Sequence, residues 1–315
     1  MHHALVFSTS TQSTSIESWS ASKLDASAWL ADLNGHFAFL QPYTNVNWLD
    51  PGCAAEIICQ PDKGFTKEHT NNNSDFQALR DAAAARHLDV NIVPTTERQK
   101  KLLIADMDST IITSESLDDL AEMAGIGDKV AAITQRSMSG EIDFENALLE
   151  RVAMRRGQSN QLFSNLITAA ELTPGAIVLV QTMCANGAKC YLISGGFDFM
   201  TGPVAALCGF HDHHANHMHV NDGKILGTVE TPVLDRKAKA SYLAHYCKIH
   251  GIDIKEAVTI GDGANDLAML QAAGMGVAFA GKPILRDTIS IQLNHTDLRG
   301  LLYLQGYHRD NFMCG

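Results

Sequence analysis

Cationic residues are scarce in this chain: 24 Lys and Arg stand against 35 Asp and Glu, for a formal net charge of −11. Nucleic acid and anionic membrane surfaces call for a basic face, so neither is expected as a partner, and small metabolites are left. Nor is there an uninterrupted apolar run of about 18 residues, the length a membrane-crossing helix needs. The N-terminus lacks the basic stretch followed by an apolar one that marks a secretory signal, so a cytoplasmic location is the expectation. No C-x-x-C pair occurs among Cys53, Cys59, Cys184, Cys190, Cys208, Cys247 and Cys314. Scattered and odd in number, these cysteines read as reduced structural thiols. With 45% hydrophobic and 19% charged residues over 315 positions, the chain has the composition of a soluble globular protein with room for one large or two ordinary domains.

Histidine, by contrast, is plentiful, and His211, His213, His214, His217 and His219 crowd together. Their spacing is not that of a metal site, and a hairpin signal, Asn221-Asp222-Gly223, follows directly, so surface histidines are expected there.

The first hundred residues alternate as strand (Ala4 to Phe7), helix (Leu24 to Leu33), strand (His36 to Leu40), strand (Ala54 to Cys59), helix (Phe76 to His87) and strand (Val90 to Val93). That β-α-β-β-α-β order predicts a small ferredoxin-like α+β domain over residues 1–93, a pattern that ligand-sensing domains of the ACT type use. A polar linker over 94–100 follows. From 101 to 315, strands near Leu102, Cys190, Val258, Gly276 and Ile289 alternate with helical patterns, the signature of an α/β fold with a doubly wound parallel sheet. Residues 116–170, about, carry helical segments and no convincing strand, and read as an inserted helical cap able to close over the strand ends.

Two acidic loops follow apolar strands. Leu102-Leu103-Ile104-Ala105 runs into Asp106-Met107-Asp108-Ser109-Thr110, and Ala257 to Ile260 runs into Gly261-Asp262-Gly263-Ala264-Asn265-Asp266. A carboxylate is a competent nucleophile toward phosphorus when a cation and nearby donors suppress its repulsion from phosphate. Alternate residues of an extended strand point the same way, so Asp106 is the nucleophile candidate and Asp108 the general acid/base. The blander use of either loop is as a helix cap or a Gly/Asp turn. Further along, Leu192-Ile193-Ser194-Gly195-Gly196 reads as a strand leading into a helix, where a hydroxyl and free backbone N–H groups can bind phosphate oxygens. Lys239 offers a point charge. Gly276 to Lys282 matches the start of a P-loop, but Pro283 has neither hydroxyl nor N–H, and Val277 to Ala280 reads as a buried strand.

The first loop matches the D-x-D-x-T signature of haloacid dehalogenase (HAD) superfamily phosphatases, and the second is similar to their G-D-G-x-N-D motif. Asp106 to Glu115, Gly140 to Arg151, Ser194 to Asp198 and Asp262 to Asp266 closely resemble the phosphoserine phosphatase family in particular. The resemblance implies a HAD-like core and Mg²⁺ held by Asp106, the Asp108 carbonyl and Asp262, with Asp266 orienting those ligands. It also implies phosphate contacts from Ser109, Ser194, Gly195, Lys239 and Asn265. For phosphoserine as substrate, Glu115 would meet the ammonium group and Arg151 the carboxylate, with Gly196 beside them and Met138 and Phe144 closing the pocket. Hydrolysis of phosphoserine in the last step of serine synthesis is the implied activity. A related enzyme acting on another small phosphomonoester, or passing the phosphoryl group to an acceptor, is the nearest alternative. A non-catalytic amino-acid sensor would not need Asp106 and Asp108 intact. Whether the chain pairs as a homodimer is left open.

Overall fold

The computed structural model describes residues 2–10, 46–59, 73–138 and 141–313, apart from the side chains of Ser137 and Met138. The expected helix Leu24 to Leu33 and strand His36 to Leu40 lie outside the described residues.

Near the N-terminus, β1 (His3–Ser8), β2 (Asn47–Asp50), β3 (Ala54–Cys59) and β4 (Asp89–Pro94) form an antiparallel sheet in the order β2-β3-β1-β4. That is the order of the split β-α-β-β-α-β pattern. The helix Ser74–Ala84 buries Phe76, Leu79 and Ala83 with Leu5, Phe7, Ile57, Val90 and Ile92 of the sheet. Those three helical positions recur at i, i+3 and i+7, which is one face of a helix. Asn73 starts the helix by accepting the N–H groups of Asp75 and Phe76. β2 was not expected, because its four residues are too few to show a period of two.

The larger sheet is wholly parallel: β5 (Leu102–Ala105), β6 (Lys189–Phe197), β7 (Asp212–Asn216), β10 (Ala257–Gly261), β11 (Met275–Phe279) and β12 (Ile291–Leu293), in the order β12-β11-β10-β5-β6-β7. The strand expected near Ile289 begins two residues later. β7 escaped the sequence reading because it is a polar edge strand, in which only Asn216 is buried. β8 (Met218–Asn221) and β9 (Lys224–Val229) form the hairpin signalled by Asn221-Asp222-Gly223, and Asp222 and Gly223 both have positive φ, as a tight I′-like turn requires.

After β5 the chain adds β6 on one side, and it later returns to add β10 on the other. The direction therefore switches between two neighbours, β5 and β10, whose register pairs Ala257 with Leu102 and Ile260 with Ala105. The two strands end together, and a crevice at such a switch point is where open α/β sheets place ligands.

Four helices, Ser116–Met123, Gly127–Met138, Phe144–Ala153 and Gln161–Ala169, form the cap. The hairpin braces it from downstream: Gly157 N–H donates to Ile225 O (2.8 Å) and Ile225 N–H to Gln158 O (2.9 Å). Arg155, fully buried, donates to Leu117 O (2.8 Å) and to Arg151 O, tying two cap helices together.

The crowded histidines each face a different partner: His211 the Cys190 N–H, His213 Thr201, His214 Tyr246, His217 Asp198 and His219 Thr228. Among the described residues none joins a cluster of three or more metal-ligating side chains. No helix among them is long and apolar enough to cross a membrane.

The two sheets meet edge to edge. Asn91 on β4 donates through Nδ2 to Gln292 O (2.8 Å) and accepts Gln292 N–H on Oδ1 (2.8 Å). The Asp89 carboxylate accepts three successive backbone N–H groups, from Asn294, His295 and Thr296, at 2.8, 3.0 and 2.8 Å. The connecting segment is pinned as well, since Arg98 pairs with Glu56 and donates to Leu304 O and Tyr303 O. Asn91→Ala would strand the Gln292 N–H and C=O in a buried seam, and we expect a loss of about 2–4 kcal/mol. Urea unfolding followed by circular dichroism checks it; an unchanged midpoint would show that the seam contributes nothing.

Candidate active site

Asp106 follows β5 directly and is buried. Its N–H donates to Ile260 O (3.0 Å), so the β5–β10 ladder positions its backbone. Its Oδ1 accepts Met107 N–H (2.7 Å) and lies 2.7 Å from Lys239 Nζ, and its Oδ2 accepts from Asn265 Nδ2 (3.4 Å). From Met107 to Ile111 the chain makes a wide turn closed by Ile112 N–H on Met107 O (3.0 Å), with Ser109 in the left-handed region at φ 52°. Such turns occur where function outweighs helical regularity. Ser109 Oγ donates to Glu115 (2.9 Å), the residue that precedes the first cap helix.

The second loop approaches from β10. A Cβ on Gly261 would fall 2.4 Å from Asp266 Cγ, so only glycine lets the Asp266 side chain fold back over the strand end. Asp266, fully buried, accepts Lys239 Nζ (2.6 Å) on one oxygen and Gly263 N–H (3.1 Å) on the other. Lys239 projects from the helix Arg236–His250, whose start is capped by Asp235 accepting Lys237 and Ala238 N–H. Only 1% of Lys239 is exposed, far from the solvated lysine that is the usual case. Burial pulls its pKa down, and Asp106 and Asp266 more than offset this, so the ammonium is held protonated.

Carboxylate oxygens of Asp106, Asp262 and Asp266 all lie within 4.8 Å of one another. Asp262 is raised above the ordinary carboxylate range by burial, an effect that Lys282, 3.1 Å away, partly opposes. Asp108 accepts Ser116 N–H (2.9 Å) and Ser194 Oγ (3.4 Å), and burial, then the charge of Asp106, pushes its carboxyl up to about 7. A carboxyl near that value can give a proton as readily as take one.

One expectation needs correcting. Gly195 and Gly196 do not open a helix; β6 runs on through them to Phe197, its register against β7 shifting between Ile193 and Phe197, and the helix starts at Asp198. The irregular strand turns Ser194 toward Asp108, and the Gly196 N–H, expected to be free, donates to Ser194 Oγ (2.9 Å). Asn216, which the sequence reading passed over, holds this bend by donating to Gly195 O (2.9 Å) while accepting Leu234 N–H (2.7 Å). A Cβ on Gly195 would lie 3.3 Å from Phe144, which places that cap residue over the bend. Arg151 donates to Ala147 O of its own helix (3.1 Å), within electrostatic reach of Asp118 and Glu115. The Met138 side chain lies outside the described residues.

Lys282 was also missed. The P-loop-like run is a buried strand, as expected: a Cβ on Gly276 would strike Leu270 O at 1.8 Å, so the glycine serves packing. Yet the lysine after it reaches the acidic cluster. Pro283, the residue that breaks the P-loop pattern, begins the helix Pro283–Thr288, a position that suits a residue without N–H.

The model of the haloacid dehalogenase-like hydrolases matches residues 103–271, more than half of the chain. The chain belongs to this family. Phosphoserine phosphatase SerB2 of Mycobacterium tuberculosis is 37% identical over 234 residues, 74% of this chain and 57% of that protein, so the chain spans little more than half of this relative's length. A solved phospho-aspartyl intermediate analogue of phosphoserine phosphatase superposes with a TM-score of 0.61 at 35% identity, over 65% of this chain and 98% of that one. The HAD family hydrolase t0658 of Salmonella enterica serovar Typhi extends the likeness across both sheets, with a TM-score of 0.81 at 26% identity over 96% of this chain and 98% of its own.

Lys239→Met would leave Asp106 and Asp266 buried without their cation. We expect a loss of about 3–5 kcal/mol at neutral pH in metal-free protein, since breaking a buried pair costs that much. Thermal and urea melts in chelator test it, and a variant as stable as the parent would mean that the carboxylates are relieved by another group.

Proposed function

We propose that the chain hydrolyses O-phosphoserine to serine and phosphate through an aspartyl phosphate on Asp106, with Mg²⁺ as cofactor, as the last step of serine synthesis. The observation that carries this reading is the buried ammonium of Lys239 shared by Asp106 and Asp266 at the paired ends of β5 and β10. In support, the all-oxygen donor set of the cluster suits a hard divalent cation. Asp106, the Asp108 carbonyl and Asp262 would hold the ion, and Asp266, whose oxygens accept Lys239 and Gly263, would orient them. Mg²⁺ there would neutralise phosphate charge and template an in-line displacement.

Asp106 attacks phosphorus while Asp108 protonates the leaving serine oxygen. Asp108 then deprotonates the water that hydrolyses the acyl phosphate. Help from an acid matters because a serine alkoxide leaves poorly. Lys239 offsets charge on Asp106 and the phosphoryl group, while Ser109, Ser194, Gly195 and Asn265 bind phosphate oxygens and Gly196 edges the substrate pocket. Glu115 pairs with the substrate ammonium and Arg151 clamps its carboxylate; Phe144 and Met138 cover them. In this reading residues 1–93 are an ACT-like module, 94–100 the connection and 101–315 the phosphatase, working in the cytoplasm.

Asp106→Asn keeps the shape of the site and removes the nucleophile. Turnover of phosphoserine should fall to background with circular dichroism unchanged, and near-normal turnover would sink the mechanism.

Arg151→Ala removes the carboxylate clamp. The loss of a charged hydrogen bond is about 1.5–3 kcal/mol, or roughly ten- to a hundredfold in kcat/KM for phosphoserine. Phosphoethanolamine, which has no carboxylate, should be nearly unaffected. Equal losses on both substrates would assign Arg151 to the cap or the phosphate instead.

A further inference from the structure

Lys282 has no task in the reaction proposed above, yet its Nζ lies 3.1 Å from Asp262 Oδ2 and 3.6 Å from Glu115 Oε1. One ammonium thus spans the carboxylate assigned to Mg²⁺ and the carboxylate assigned to the substrate ammonium. We propose that Lys282 is a displaceable counter-ion that couples filling of the cation site to admission of the substrate's ammonium group. The inference rests on the function proposed above.

The geometry makes the two anchors unequal. Asp262 is nearly buried and within hydrogen-bond reach, whereas the Glu115 side chain is 48% exposed, farther away and correspondingly screened. A divalent cation on Asp262 repels the ammonium from its strong anchor and leaves only the weak one. Glu115, still accepting Ser109 Oγ, then loses the cation that competes with the incoming substrate ammonium. Motion is confined to the side chain, because the Lys282 N–H donates to Asp262 O (2.9 Å) and the helix Pro283–Thr288 follows at once. The flexible four-carbon stem is 55% exposed. It also has room to move: Lys282 lines a cavity of about 900 Å³ between the helix Ser74–Ala84 and residues 280–287, where Arg80 and Arg286 stand beside Asp81 and Asp287.

With Lys282 neutralised, the site keeps its carboxylates and loses a competing charge. Mg²⁺ should therefore bind Lys282→Met roughly three- to thirtyfold more tightly than the parent. Because two ligands that share one displaced group help each other, serine should bind the parent more tightly once Mg²⁺ is present, and this help should shrink in the variant. Lys282→Arg keeps the charge and should stay close to the parent.

The experiment is calorimetric titration of the full chain with Mg²⁺ and with serine, each alone and in the presence of the other, with thermal melts to confirm folding. Lys282→Gln takes the place of Lys282→Met should the latter not fold. Tighter Mg²⁺ binding with weakened coupling supports the proposal. Equal or weaker Mg²⁺ binding by the neutral variant, beside a parent that does bind it, overturns the counter-ion role and leaves the metal reading standing. No Mg²⁺ binding by any of the proteins overturns the metal reading and the counter-ion role with it.

Discussion

A single buried ammonium makes the acidic cluster affordable. Asp106, Asp262 and Asp266 bring their oxygens within 4.8 Å of one another in a site that excludes most water. Like charges so placed would drive one another to protonate or the loops to separate. Lys239, held by Asp106 at 2.7 Å and Asp266 at 2.6 Å, eases that conflict, although burial and the charge of Asp106 still raise Asp266, and Lys282 at 3.1 Å offsets the charge of the buried Asp262. The residual negative charge is what a divalent cation would need.

Other features of the fold bring these groups together. Parallel pairing of β5 with β10 ends two strands at one level, and the switch in chain direction between them keeps the crevice clear of crossover connections. The helix Arg236–His250 delivers Lys239 because Asp235 fixes its first turn. On the other side, the bend in β6, secured by Asn216, turns Ser194 toward Asp108. The cap depends on contacts made far along the chain, since the β8–β9 hairpin supports the segment after the helix Phe144–Ala153 while Arg155 reaches back to Leu117.

The N-terminal sheet solves a different problem. An exposed strand at a sheet edge invites unwanted pairing, and β12 is the edge of the larger sheet. Asn91 and Asp89 satisfy the backbone groups of Gln292 and of residues 294–296 with side chains, joining the sheets without a continuous ladder. The seam lies next to the segment 280–287, so the cavity beside Lys282 is shared by both parts of the chain.

Much was readable from residue order alone, for a physical reason: local patterns report local structure. Apolar runs announced β5, β10 and β11, the Asn-Asp-Gly signal announced the hairpin, and the two acidic loops declared themselves by occurring together, each at the end of an apolar strand. Lys239 could be picked only by its place among the motifs; nothing in its neighbours foretold burial. Asn216, Arg155 and Lys282 stayed silent, since each acts on a partner between 18 and about 170 residues away and such distances leave no periodic trace. β7 was hidden by polarity that an edge strand tolerates. The sequence by itself determined which family motifs the chain carries and on which strand ends the two acidic loops stand. Tertiary structure alone decided which charges are buried together, which N–H groups are already taken, and which lysines reach the acidic cluster, because burial and long-range pairing are properties of the packed chain and not of any segment.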